Sequence, residues 1–195
     1  ITGVATVTDN APTTATNFLL AYNMIPVRPV KLEDGSWFDT REYDQGNPVR
    51  NQKENTHKNR INNFYGTADV GYTIIDGLEA KVLLAKSRNT EDESKYNSIE
   101  SQAGYNDGGK AERWSRLRDK DLMEWTANYS AEFNKHKINA LIGYSWEEEN
   151  YEETHVQTRG FVTDLLGANN LAAGQNLNPG DAESQNWQSR LISLY

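Results

Sequence analysis

The sequence predicts an all-β fold: antiparallel hairpins forming part of a transmembrane β-barrel, with long extracellular loops and one short loop helix. Three observations carry this: strict apolar/polar alternation over long runs, aromatic residues at two levels along them, and tight turns opposed to long polar connections. Alternation at period two gives each face of a sheet one class of side chain. Soluble strands usually run about 5–6 residues. A tilted strand crossing a bilayer needs roughly 9–11.

Taken in order, residues 1–59 hold little strand signal and read as an extracellular loop region. Within it, residues 14–24 predict a helix capped by Thr14 or Thr16 and stopped by Pro26, since the residue before proline disfavours helix. Pro26 and Pro29 suggest an extended segment, and Asp34-Gly35 and Asn47-Pro48 mark turns. Residues 60–195 read as a barrel-wall segment. Its strands fall at about 60–74, 78–88, 121–133, 138–147 and 186–195, with long loops at 89–120 and 148–185.

The hairpins specify their own pairing. A three-residue loop, Ile75-Asp76-Gly77, pairs Ile74 with Leu78, Tyr72 with Ala80 and Val70 with Val82, with Gly77 at the left-handed position. In the second hairpin, pairing Phe133 with Ile138 across Asn134–Lys137 sets Trp125 directly opposite Trp146. Phe64 takes the equivalent place on the first hairpin, while Tyr72 and Phe133 lie near the turns. Two aromatic levels separated by small and aliphatic residues match the interfacial girdles of an outer-membrane barrel. Asp69, Glu79, Lys81, Thr126, Asn128 and Glu132 then face a wet lumen, interrupted by Leu83 and Leu141. A soluble β-sandwich serving as a carbohydrate-binding or adhesion module is the alternative. It gives no reason for all short turns to fall at one end.

Composition bounds function. The 195 residues carry a net charge of −8 and no cysteine. Low mean hydropathy is compatible with a barrel, because half of each strand faces a polar interior. The acidic balance disfavours nucleic acid as a partner, and outer-membrane lipid is the expected surroundings. The run from Trp187 alternates to Tyr195 and stops without a turn, and five recognisable strands cannot close a barrel, so the chain reads as a piece of a longer protein.

No nucleophile elbow, HExxH pair, P-loop or dinucleotide fingerprint occurs, so neither an enzyme nor a cofactor is expected. His57, His136 and His155 are isolated in sequence. Loop aromatics Trp37, Phe38, Tyr43 and Tyr105 are the ligand-binding candidates, because flat apolar faces with polar edges suit sugar rings and peptide side chains. The cluster Glu147, Glu148, Glu149, Glu152 and Glu153 has the oxygen donors calcium takes, but reads first as a solvated rim.

The run NFLLAYNMIPVRPV at residues 17–30, followed by Asp34-Gly35-Ser36, Gly46-Asn47-Pro48 and the turn ending Ile74-Ile75-Asp76-Gly77-Leu78, resembles SusC/RagA-type TonB-dependent outer-membrane transporters of Bacteroidetes. The order and spacing of these short motifs over most of residues 15–150 carry the resemblance. It implies a glycan or peptide importer, a SusD-like surface lipoprotein partner, and coupling to the TonB complex through parts outside this sequence.

Overall fold

The computed structural model describes residues 1–10, 15–38 and 47–195. Six strands form one sheet in chain order, each antiparallel to the next: β1 (Thr2–Asn10), β2 (Thr56–Ile75), β3 (Leu78–Asn97), β4 (Lys110–Phe133), β5 (His136–Arg159) and β6 (Ala182–Leu194). Two helices, α1 (Ala15–Asn23) and α2 (Pro48–Glu54), lie between β1 and β2 in sequence. Among the described residues no second sheet packs against this one, so the sandwich alternative has no counterpart.

The outward face carries a continuous apolar band. Ala68, Leu84, Met123, Trp146 and Ile192 occupy one ladder row, and Val70, Val82, Trp125, Tyr144 and Leu194 the next. Tyr72, Ala80, Ala127 and Ile142 follow towards the turns. Immediately on the other side of the Trp146 row the same face turns ionic, with Lys86, Asp121, Glu148 and Arg190 side by side. Lys86 Nζ lies 2.9 Å from Asp121 Oδ1, and Arg190 Nε 2.5 Å from Glu148 Oε2. From Met123 to Phe133 the band covers roughly 33 Å of strand at about 3.3 Å per residue. At the usual tilt near 40° that is about 25 Å of height, the thickness of a barrel's lipid-facing belt.

Both registers differ from the sequence expectation near the turns. In the first hairpin Ile75 pairs with Leu78 across a two-residue turn, and the register shifts between Thr73 and Ile75. That irregularity restores Tyr72–Ala80 and Val70–Val82, as expected from the apolar faces. Gly77 is left-handed (φ 82°), and a Cβ there would sit 2.2 Å from the Ser130 carbonyl oxygen. In the second hairpin Phe133 pairs with His136, and the turn is Asn134-Lys135, with Asn134 at φ 59°. Trp125 therefore opposes Tyr144, with ring centroids 6.5 Å apart, and Trp146 opposes Met123. The two indoles share the outward face without being paired. The error is a slip of two residues, which keeps every side chain on its face and is invisible to a hydrophobic pattern.

Three boundaries are also corrected. Residues 1–59 are not all loop: β1 pairs with β2 from Thr2–Thr67 to Asn10–Asn59. Strands β2 to β5 run 20 to 24 residues, so much of the predicted loops 89–120 and 148–185 is strand, and the connections shrink to residues 98–109 and 160–181. Above the lipid band both faces are polar, which erases the alternation from which strand was read. Phe64 stands in a row with Arg88 and Asp119 rather than with the tryptophans. Asn47-Pro48 opens a helix instead of a turn: Asn47 caps α2 by accepting from the Val49 and Arg50 amides, with proline at the first helical position. Helix α1 ends at Asn23, before Pro26, as expected; Thr14 lies outside the described residues.

The face assignment makes a prediction. Ala127→Arg, in the middle of the outward band, should cost about 2–4 kcal/mol. Asn128→Arg, its inward neighbour, should cost far less. Urea titrations of the assembled barrel in lipid vesicles measure both, and equal costs would overturn the assignment.

Candidate functional site

Above the lipid band, the inward face of β2 to β6 is a ladder of ion pairs and stacked rings. Arg116 on β4 is its hub. Its guanidinium lies 3.2 Å from Glu93, 3.3 Å from Glu91 and 3.5 Å from Glu153, thereby tying β3, β4 and β5 together. Glu93 also receives Lys95 at 2.9 Å and contacts His57 Nε2 at 2.7 Å. Desolvation pushes the Glu93 carboxyl up, but hydrogen bonds from Lys95, His57 and Arg116 together outweigh it and hold the group below its ordinary value. Trp114 stacks on His155 across the β4–β5 pair, centroids 4.4 Å apart, with Lys95 Nζ 4.6 Å from the indole centroid. Nearer the membrane, Tyr151 stacks on Trp187 at 5.5 Å with Arg118 over the tyrosine ring.

Sequence reasoning missed this wall. Trp114, Arg116 and Tyr151 lie in stretches where the alternation predicts loop, and His57 and His155 are isolated in sequence. The signal was available as charged or aromatic residues at every second position: Glu91, Glu93 and Lys95; Glu112, Trp114, Arg116 and Arg118; Glu147, Glu149, Tyr151 and Glu153. The glutamate cluster is no metal cage. Consecutive strand residues point to opposite faces, so Glu147, Glu149 and Glu153 face inward while Glu148 and Glu152 face outward. Glu147 pairs with Lys120 at 2.7 Å and Glu149 with Arg118 at 3.3 Å. Among the described residues no group of three or more potential ligands could hold a metal ion.

The loop aromatics are positioned through α2. Asn47 donates its side-chain amide to the carbonyls of Val30 and Phe38, fixing the strap that carries Trp37 and Phe38. Asp34-Gly35 makes the expected turn in that strap, with Gly35 at φ 85°. Trp37 Nε1 donates to Glu54 Oε1 at 2.8 Å, and Lys31 lies over the indole. Arg28 lies 5.9 Å from the Phe38 centroid. From α2, Arg50 reaches Glu100 at 2.9 Å, and Asn55 just beyond accepts from the Ser98 amide. These two contacts join the strap to the 98–109 loop, where exposed Tyr105 begins a single 3₁₀ turn. Tyr43 lies outside the described residues.

A small apolar core (Tyr96, Ala111, Phe161 and Ala168) binds that loop to residues 160–181 on the outward side. The Tyr96 hydroxyl donates to Asp164 at 2.6 Å. Asp181 latches the second loop: it accepts from the Asn178 amide at 2.7 Å, Arg159 at 2.8 Å and Gln157 at 2.6 Å. Led by the Asn178 amide, these bonds hold its carboxyl below the usual range.

Comparisons with known proteins agree with this architecture. The chain is 26% identical over 155 residues to TonB-dependent receptor P3 of Formosa agariphila, covering 79% of this chain and 16% of that protein. It is 28% identical over 161 residues to TonB-dependent receptor P26 of the same bacterium, covering 76% and 16%. The chain is thus similar to TonB-dependent receptors over more than three quarters of its length. It spans about 16% of the length of the curated relatives it matches. Among solved structures, the chain is similar to the RagAB peptide importer in its closed-closed state (TM-score 0.57, 19% identity, 72% of this chain and 15% of that one). It is likewise similar to the RagAB peptide transporter (TM-score 0.56, 18% identity, 76% and 16%). No protein-family model matches. These comparisons bear out the resemblance to TonB-dependent outer-membrane receptors read from the sequence, and the fold resembles that of the RagAB structures.

Two predictions follow from the wall. Because the folded-state values of Glu93 and Asp181 are depressed, their stabilisation is complete above the unfolded carboxylate range near 4 and is lost as pH falls through the folded values. Amide exchange in the upper parts of β3–β5 and in residues 160–181 should therefore accelerate in acid, and the Glu93→Gln/Asp181→Asn variant should lose that dependence. Arg116→Ala leaves three carboxylates facing one another and should destabilise the assembled barrel by about 2 kcal/mol, below the ~3–5 of a fully buried pair. A chemical-denaturation midpoint measures it.

Proposed function

We propose that this segment forms part of the barrel wall of a TonB-dependent nutrient importer, with its long-loop end outside the cell. The observation that carries this reading is the inward wall, which rises well above the lipid band as a ladder of paired charges and stacked rings. Such a surface stays wetted and offers alternating donors, acceptors and flat faces to a polar solute crossing it. The substrate class we infer is a glycan or peptide, held at the mouth by Trp37, Phe38, Tyr43 and Tyr105. Residues 15–54 then serve as an external loop region, and the six strands as wall. A SusD-like surface lipoprotein would cover the mouth, and the TonB complex would supply energy through parts of the receptor outside this chain.

Orientation is tested with single cysteines at Asp107 and His136 in the intact receptor on whole cells. An impermeant thiol reagent should label position 107 and spare position 136; the reverse pattern would overturn the orientation. Trp37→Ala and Tyr105→Ala should each weaken capture of the imported solute by about 1–2 kcal/mol, the scale of a lost stacking contact. Calorimetry on the purified receptor reads this, and unchanged affinity in both variants would remove these rings from the binding site.

A further inference from the structure

Trp37 and Tyr105 lie on different loops, yet one run of hydrogen bonds connects them through two successive residues at the end of α2. Glu54, the last residue of the helix, accepts from Trp37 Nε1 at 2.8 Å. Asn55, its C-cap, accepts instead from the Ser98 amide at 3.1 Å. From Ser98 the backbone winds tightly towards the second ring. The Ser98 carbonyl accepts from the Ser101 amide at 3.1 Å, and the Ser101 carbonyl from the Tyr105 amide at 2.9 Å. Ser98 and Ser101 are wholly buried. Gly104 is required in this winding, because a Cβ there would stand 2.2 Å from the Ser98 carbonyl oxygen. Arg50 supplies a second tie from the same helix, to Glu100. On the strap side, Asn47 grips both arms through the carbonyls of Val30 and Phe38.

We propose that Glu54 and Asn55 are positioning residues: they set the spacing of the Trp37 and Tyr105 rings, so that both engage one molecule of an extended, oligomeric solute. This rests on the reading that these rings capture the solute. A ring on a slack loop has to be ordered when the solute arrives, and that entropy cost is subtracted from affinity. Here the ordering is built in before binding. Once the first ring is engaged, the second contact forms at an effective concentration set by the scaffold, not by the bulk solute. Fixed spacing also selects length, because a single unit meets one ring and gains nothing from the other. The Glu54 end is the firmer of the two, since an indole N–H bonded to a carboxylate is charge-assisted. The Asn55 end is a neutral bond, backed by the Arg50–Glu100 pair.

The test uses the intact receptor in mild detergent. Spin labels on cysteines placed at Glu33 and Asn106, exposed positions near the two rings, report the distance between the loops. The wild-type junction should give one narrow distance. Asn55→Leu/Glu100→Gln should broaden it while the barrel still shifts on unheated gels. Asn55→Asp keeps an acceptor oxygen and should leave it narrow. An equally narrow distance in the released variant would overturn the proposal. Capture is read separately, by offering the bead-bound receptor a tryptic peptide pool and, in a second arm, a pectin-derived oligosaccharide pool. Mass spectrometry identifies the retained members and so separates the two sources. Trp37→Ala and Tyr105→Ala should lose the same long members, each by roughly tenfold. Asn55→Leu/Glu100→Gln should lower those members by roughly fivefold, the scale of one lost hydrogen bond, and Asn55→Asp should restore them. Loss of different members by the two ring variants means two separate sites and overturns the shared clamp. Loss of none by either variant removes the capture reading itself, whatever the spin-label distance.

Discussion

Everything in this structure depends on the requirement that backbone amides and carbonyls find partners within the sheet. A bilayer offers none, and each unsatisfied group there costs several kcal/mol. The unbroken antiparallel ladder from β1 to β6 meets that requirement without a second layer. Once the ladder is fixed, every side chain is assigned to lipid or lumen by parity alone. The single irregularity, between Thr73 and Ile75, lies beside a turn, where one extra residue can be accommodated.

The two faces are stabilised by different physics. Outward rows rest on apolar contact with lipid until the Lys86–Asp121–Glu148–Arg190 row ends the band. Inward rows have charges on neighbouring strands, and opposite signs across a strand pair hold the wall together where there is no apolar core. Arg116 shows the principle: one guanidinium serves three carboxylates on two adjacent strands. A wall built this way is both rigid and wet. That combination suits a pore lining and would be wasteful in a closed core.

At the far end the connections are organised, not slack. A helix of seven residues, α2, does most of this through capping and side chains, with Asn47 facing the strap and Arg50 the 98–109 loop. Asp181 does the same for residues 160–181, gathering one backbone amide and two side-chain donors. The aromatic candidates in the strap therefore sit on a supported surface, each with a cation over its ring.

Sequence by itself determined the fold class, the two faces and the position of the lipid band, because alternation at period two is a local property of the chain. It also located α1 and the left-handed turn at Gly77. It did not determine the turn length of the second hairpin, since a slip of two residues leaves parity untouched; the left-handed Asn134 decided it. Nor did it reveal β1, whose Val4, Val7 and small polar residues carry no apolar stripe and become strand by pairing with β2. The upper halves of β2–β5 were equally hidden, because a strand that is polar on both faces has no period to read. Only the tertiary structure brought Trp114 onto His155 and Arg116 between Glu93 and Glu153. Those contacts join residues dozens of positions apart, and their existence depends on register, which is a property of the whole ladder.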